Sequence, residues 1–202
     1  LQRRPDWPGL AWLRKKSETA MVEAGGASVL QFYADQPPQS AEGALNLGKA
    51  LIASGQRGDG EAGLVIAWRT MPMGEGLQAL YLKDFSKLLK PHHVARLDRM
   101  LWDGHLVSSR RMLALVPEAE RKLAEARIAL QDKAPGVDAK IKAVPKALQN
   151  APGLAYDRFV WRDQKRRRED AITLMAERST SADALGEPEN WARRRRDLSR
   201  QD

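Results

Sequence analysis

One period runs through almost the whole chain. Apolar residues recur every three or four positions, the spacing of one face of an α-helix. Ala44, Leu47, Gly48 and Leu51 form one such stripe, and Gly55 stops it. Leu64, Ala67, Trp68 and Met71 form the next. Leu77, Leu80, Tyr81 and Leu88 form a third, which ends before Pro91. Val94, Leu97 and Leu101 follow and close at Gly104. Leu106, Ser109, Leu113 and Val116 come next, then Ala119, Leu123, Ala126 and Leu130. Nothing in the chain alternates with the two-residue period of a strand. Ala, Leu and Arg are abundant while Val, Ile and Thr are sparse, which also favours helix.

The tripeptide Ala-Pro-Gly occurs at Ala134–Gly136 and again at Ala151–Gly153. Between the copies lies the stripe Val137, Ile141, Val144 and Leu148. Pro145 interrupts it and should kink or split the helix, because proline has no amide donor. After the second copy Leu154, Tyr156, Phe159, Val160 and Trp161 open another helix. Pro152 suits its first turn, where no intrahelical donor is required. The Pro-Gly pairs therefore read as turns between short antiparallel helices. The longest expected break is Asp35 to Ser40, with two prolines. The expected fold is all-α, an α-superhelix (solenoid) of about ten to twelve short antiparallel helices. It would form one domain over residues 1–202, with a minor break near 35–40.

Chemistry-bearing patterns are scarce. With no cysteine there is no thiolate ligand, disulfide or cysteine nucleophile. His92 and His93 are adjacent and point to different helix faces, His105 is isolated, and no metal site or cofactor is expected. The segment "GQRGDGEAG" lacks the ending of a phosphate loop and follows a helix, so it reads as a turn. Each carboxylate lies next to a base on a polar face. None is expected in the apolar cleft that a glycosidase acid requires. Trp68, Trp102 and Trp161 fall in or beside apolar stripes and are expected to pack between helices.

The net charge is +8, which suits an anionic partner. The most basic clusters are Lys165–Asp170 and Arg193–Asp197. No aromatic platform or recognition motif accompanies them, so no nucleic acid is expected. Arg166, Arg167 and Arg168 are the candidate contacts to an anionic polymer. No run of about 18 apolar residues occurs, so no transmembrane segment is expected.

Several segments, taken together, resemble one family. They are "RPDWPGLAWLR", "PPQSAEGALNLGKAL", "HHVARLDRMLWDGHLVSSRRML", "LAEARIAL", "APGVDAKIKAVP" and "PGLAYDRFVWRDQKRRREDAITLM". Their content and order are similar to the superhelical N-terminal (U-type) region of soluble lytic murein transglycosylases of Gram-negative bacteria. The more specific parts are Arg-Leu-Asp-x-x-Leu-Trp-x-Gly and Pro-Gly-Leu-x-Tyr-x-Arg. The resemblance implies a periplasmic location and peptidoglycan glycan strands as partner. It also implies a parent enzyme that cleaves the β-1,4 bond between N-acetylmuramic acid and N-acetylglucosamine, leaving a 1,6-anhydro end. In that family the catalytic glutamate sits in a lysozyme-like domain, at a Glu-Ser pair followed by Gly-Leu-Met-Gln. Neither motif occurs in this chain, so no catalytic residue is carried over. The chain begins at Leu1 and ends in a charged helix, and the expectation is a noncatalytic fragment of such an enzyme. The alternative is a tetratricopeptide-like periplasmic adaptor that binds another protein.

Overall fold

The computed structural model describes residues 9–199, and every regular element among them is helical. The helices are α1 (Leu10–Ala20), α2 (Gly26–Phe32), α3 (Ala41–Ala53), α4 (Arg57–Thr70), α5 (Glu75–Leu89), α6 (His93–Trp102) and α7 (Leu106–Met112). They continue with α8 (Glu118–Gln131), α9 (Val137–Ala143), α10 (Pro152–Gln164), α11 (Arg168–Arg178), α12 (Ala182–Leu185) and α13 (Pro188–Ser199). Short 3₁₀ turns follow α1, α5 and α7, and another precedes α10. The all-α expectation is met, with no strand among the described residues. Trp7 and Pro8 of the N-terminal segment, and Arg200–Asp202 at the other end, lie outside the described residues. The chain divides into two compact units, Leu1–Arg96 and Leu97–Asp202.

In the first unit α3 and α4 form a tight hairpin. Gly48 makes the close approach possible, since a Cβ there would fall 2.6 Å from Leu64 Cγ. Gly55, at φ +90°, ends α3 in the left-handed conformation that a helix C-terminus favours. The amide of Gln56 then reaches back to the Leu51 carbonyl at 2.8 Å. Trp68, Tyr81 and Leu89 are fully buried here. The Tyr81 hydroxyl donates to the Ala41 carbonyl at 2.7 Å.

The Asp35–Ser40 break is pinned rather than loose. Glu18 on α1 is fully buried. It accepts from the Gln39 amide at 2.7 Å and from the Ser40 hydroxyl. Ser40 in turn caps α3 by accepting from the Gly43 amide at 3.0 Å. A buried carboxylate satisfied in this way avoids the desolvation cost of an unpaired charge.

The inward faces differ from the apolar stripes at two helices. Leu80 and Val94 are exposed. Gln78 and Tyr81 face inward on α5, and His93, Arg96, Leu97 and Met100 on α6. The interior there is built around the Trp68 ring and the backbone carbonyls beside it. Arg96 donates to the carbonyls of Trp68 and Met71, at 3.0 Å for the latter, and its guanidinium lies 4.5 Å from the Trp68 ring centroid. His93 packs against the same indole, its ring centroid 5.5 Å from that of Trp68.

The second unit has two apolar clusters. Ala126, Ala129, Leu130, Val137, Val144 and Leu154 form one. Ala155, Phe159, Ala171, Leu174 and Trp191 form the other, with Phe159 and Trp191 stacked at 5.0 Å. Pro145 splits its stripe as expected: α9 stops at Ala143, Val144 is extended, and a 3₁₀ turn covers Lys146–Leu148. Pro152 occupies the first turn of α10.

The two Ala-Pro-Gly copies are not equivalent. Gly136 is left-handed, at φ +76°, and opens α9. Gly153 instead lies inside α10 without that need. It serves as a vacant position: a Cβ there would come 2.3 Å from the guanidinium carbon of Arg127. The second copy is thus a helix start shaped around a buried cation.

Candidate functional site

Arg127 and Asp157 occupy positions that periodicity alone assigns to the core. Arg127 follows Leu123 by four residues on α8, and Asp157 follows Leu154 by three on α10. Both are buried. Arg127 Nε donates to Asp157 Oδ2 at 2.6 Å, and its Nη1 donates to Asp98 Oδ1 on α6 at 2.6 Å. Gln131, one turn beyond Arg127, donates to Asp157 Oδ1 at 3.0 Å and to the Leu101 carbonyl at 3.0 Å. Arg127 Nη2 is buried without a hydrogen-bond acceptor. The guanidinium lies 5.2 Å from the Trp102 ring centroid, and that ring packs 5.3 Å from Tyr156.

This corrects the expectation that every carboxylate lies on a polar face. Glu18 and Asp157 are both interior. The readable signal was a charge of each sign within an apolar stripe, on helices with no spacing rule to pair them.

Burial raises the Asp157 carboxyl to about 6, against the opposing pull of Arg127 and the Gln131 hydrogen bond. Both its oxygens are engaged, so the pair ties helices together and does not present a proton to a bound molecule. Trp102 is half-buried rather than enclosed. With Leu101, Gln131, Tyr156, Asp157 and Arg194 it lines a cavity of about 200 Å³.

The raised value has a sign that can be measured. Folding favours the protonated carboxyl between the ordinary carboxylate range and about pH 6. This group therefore adds stability at low pH and loses that contribution as pH rises through 6. Relative to Asp157→Asn, the wild type should gain on the order of 2 kcal/mol as pH falls from 7 to 4. Urea midpoints of both proteins at the two pH values report it. A gap that moves the other way would mean that Arg127 holds the carboxylate ionised below its usual range.

The three candidate arginines are placed in unlike surroundings. Arg166 is exposed and left-handed, at φ +58°, in the turn after α10. Arg167 is exposed and pairs with Asp170, Nη2 to Oδ2 at 2.7 Å. Arg168 is half-buried as the first residue of α11. All three border the turn between α10 and α11.

Comparison with models of protein families, with curated proteins and with solved structures finds no match to this chain.

Proposed function

We propose that this chain is a noncatalytic helical scaffold of a periplasmic peptidoglycan lytic transglycosylase. Its helices would stack as an α-superhelix beside a lysozyme-like catalytic domain of the same parent chain. The observation that carries this reading is a convergence. Three segments behind the resemblance, around Asp98 and Trp102, Arg127, and Gly153 with Asp157, meet in one network around the buried Arg127. A generic stack of helices has no need of a guanidinium shared between two carboxylates, because apolar packing suffices. In this chain the three segments therefore belong to one arrangement, which is what supports reading them together.

In this role the basic surface holds an anionic wall polymer through many weak contacts. Each exposed ion pair contributes about 0–1 kcal/mol and is screened by salt. Retention of the chain on purified sacculi should be clear at low salt and fall steeply toward physiological salt. Replacing Arg166, Arg167 and Arg168 together with Gln should reduce it while helicity persists. Equal retention of wild type and the triple variant at low salt would remove this cluster from the proposal. No retention of either would remove the wall.

A second reading is a tetratricopeptide-like adaptor for another protein. It is favoured by an apolar cavity of about 190 Å³ in the first unit, lined by Pro37, Leu47, Leu51, Ile66 and Met71. Ile66 is 60% exposed at its rim. An amphipathic helix suits such a groove. Under that reading sacculi do not retain the chain at any salt.

A further inference from the structure

A second cavity of the Leu97–Asp202 unit, about 240 Å³, opens between α9 and α10. Its apolar lining is Leu130, Val137, Ile141 and Trp161. Four cations share it, Lys142, Arg158, Arg162 and Arg167, against a single carboxylate, Asp138. Neutralisation is partial: Asp170 pairs with Arg167, and Glu177 acts on Arg158 from outside the lining. Arg162 donates to the Asp170 carbonyl at 3.0 Å, which supplies no formal charge. Arg167 alone has an ion pair, with Asp170. Lys142 and Arg158 make no hydrogen bond or ion pair among the described residues. Arg158 is half-buried. Burial first, then the cations of Arg162 and Arg178, pull it below the ordinary arginine value, against the opposing pull of Glu177 and Asp138.

Cations held together at a partly apolar cavity repel one another unless an anion joins them. Guanidinium forks fit planar or tetrahedral oxyanions. Trp161 lines the same cavity, and an indole offers a flat ring an apolar surface. The volume lies below the roughly 300–1,000 Å³ of sites for drug-sized molecules, which leaves room for about one ring. We propose that this cavity binds a small ring-bearing oxyanion, its carboxylate or phosphate held by Lys142, Arg158 and Arg162 and its ring laid against Trp161. The inference needs only the cavity and its charges and does not depend on the wall-scaffold reading.

The test is calorimetric titration of the whole chain with glucuronate, glucose 6-phosphate, glucose and inorganic phosphate. Either charged sugar should bind and glucose should not. The stronger of the two charged sugars identifies the oxyanion. Arg158→Gln should weaken binding about tenfold or more, as expected for loss of a charge-assisted bond. Lys142→Gln, on the exposed side of α9, should weaken it as well and serves if the first variant does not fold. Trp161→Leu should weaken the sugars and leave inorganic phosphate unchanged. Failure of both charged sugars to bind, or wild-type binding by a folded Lys142→Gln or Arg158→Gln, overturns the proposal. Inorganic phosphate binding as tightly as glucose 6-phosphate overturns the part assigned to the ring. Sacculus retention is a separate measurement, so either idea can fail alone.

Discussion

Arg127→Met should destabilise the chain by about 3–5 kcal/mol, read as a lower urea midpoint at pH 7. Removing one partner of a buried pair leaves the other charge without compensation. Asp157 is the charge left behind, inside α10 and 5% exposed. Gln131 would be its remaining donor. Asp98, with its side chain more than half exposed, returns to water at little cost. The double variant Arg127→Met with Asp157→Leu should recover much of the loss, since apolar replacement of a whole buried pair is often close to neutral. A single variant that unfolds at the wild-type midpoint would show that the pair contributes nothing. A double variant no better than the single would place the cost in packing around Trp102 and Gly153 instead of in the stranded carboxylate.

Trp68→Ala should cost about 3–5 kcal/mol, the range for deleting a large core aromatic. Trp68 has no exposed surface. It touches neighbours on two other helices: Tyr81 of α5 at 6.0 Å between centroids, and on α6 His93 at 5.5 Å and the Arg96 guanidinium at 4.5 Å. One effect works in the opposite direction. Its indole N–H is buried without an acceptor, so the wild type already carries a desolvation cost that alanine removes. The lost contact area and the lost ring beneath Arg96 outweigh this. Trp102→Ala, by contrast, removes a half-buried ring at a cavity and should cost about 1–2 kcal/mol. Equal midpoint shifts for the two variants would contradict the difference in enclosure.

The helical class was legible because an apolar stripe is a local signal. Gly55 and Gly136 end or open helices where their left-handed backbone predicts, and Pro145 divides its helix for lack of a donor. What the sequence hid was polarity in the interior. Glu18 meets Gln39 and Ser40 across the chain, and Arg127 lies 29 residues from Asp98 and 30 from Asp157. No helical spacing links partners so far apart; the packing of helices does. A stripe drawn only through apolar residues also placed Leu80 and Val94 inward. It passed over Gln78, His93 and Arg96, whose interior positions depend on partners from other helices. The cation cavity was half visible. Arg167 stood in a conspicuous basic run, whereas Lys142, Arg158 and Arg162 were scattered among helix faces that read as ordinary solvated charge.

The two Ala-Pro-Gly copies have a consequence for how this chain can drift under mutation. At Gly136 the constraint is an angle, so asparagine, which tolerates the left-handed region, is an admissible neighbour in sequence space. At Gly153 the constraint is volume, set by a guanidinium that two hydrogen bonds and the Trp102 ring hold in place, and asparagine is no better than alanine. Identical letters thus carry different alphabets of permitted replacement. A substitution matrix that scores the two tripeptides alike would misjudge one of them, and Gly153 is free to change only in concert with Arg127.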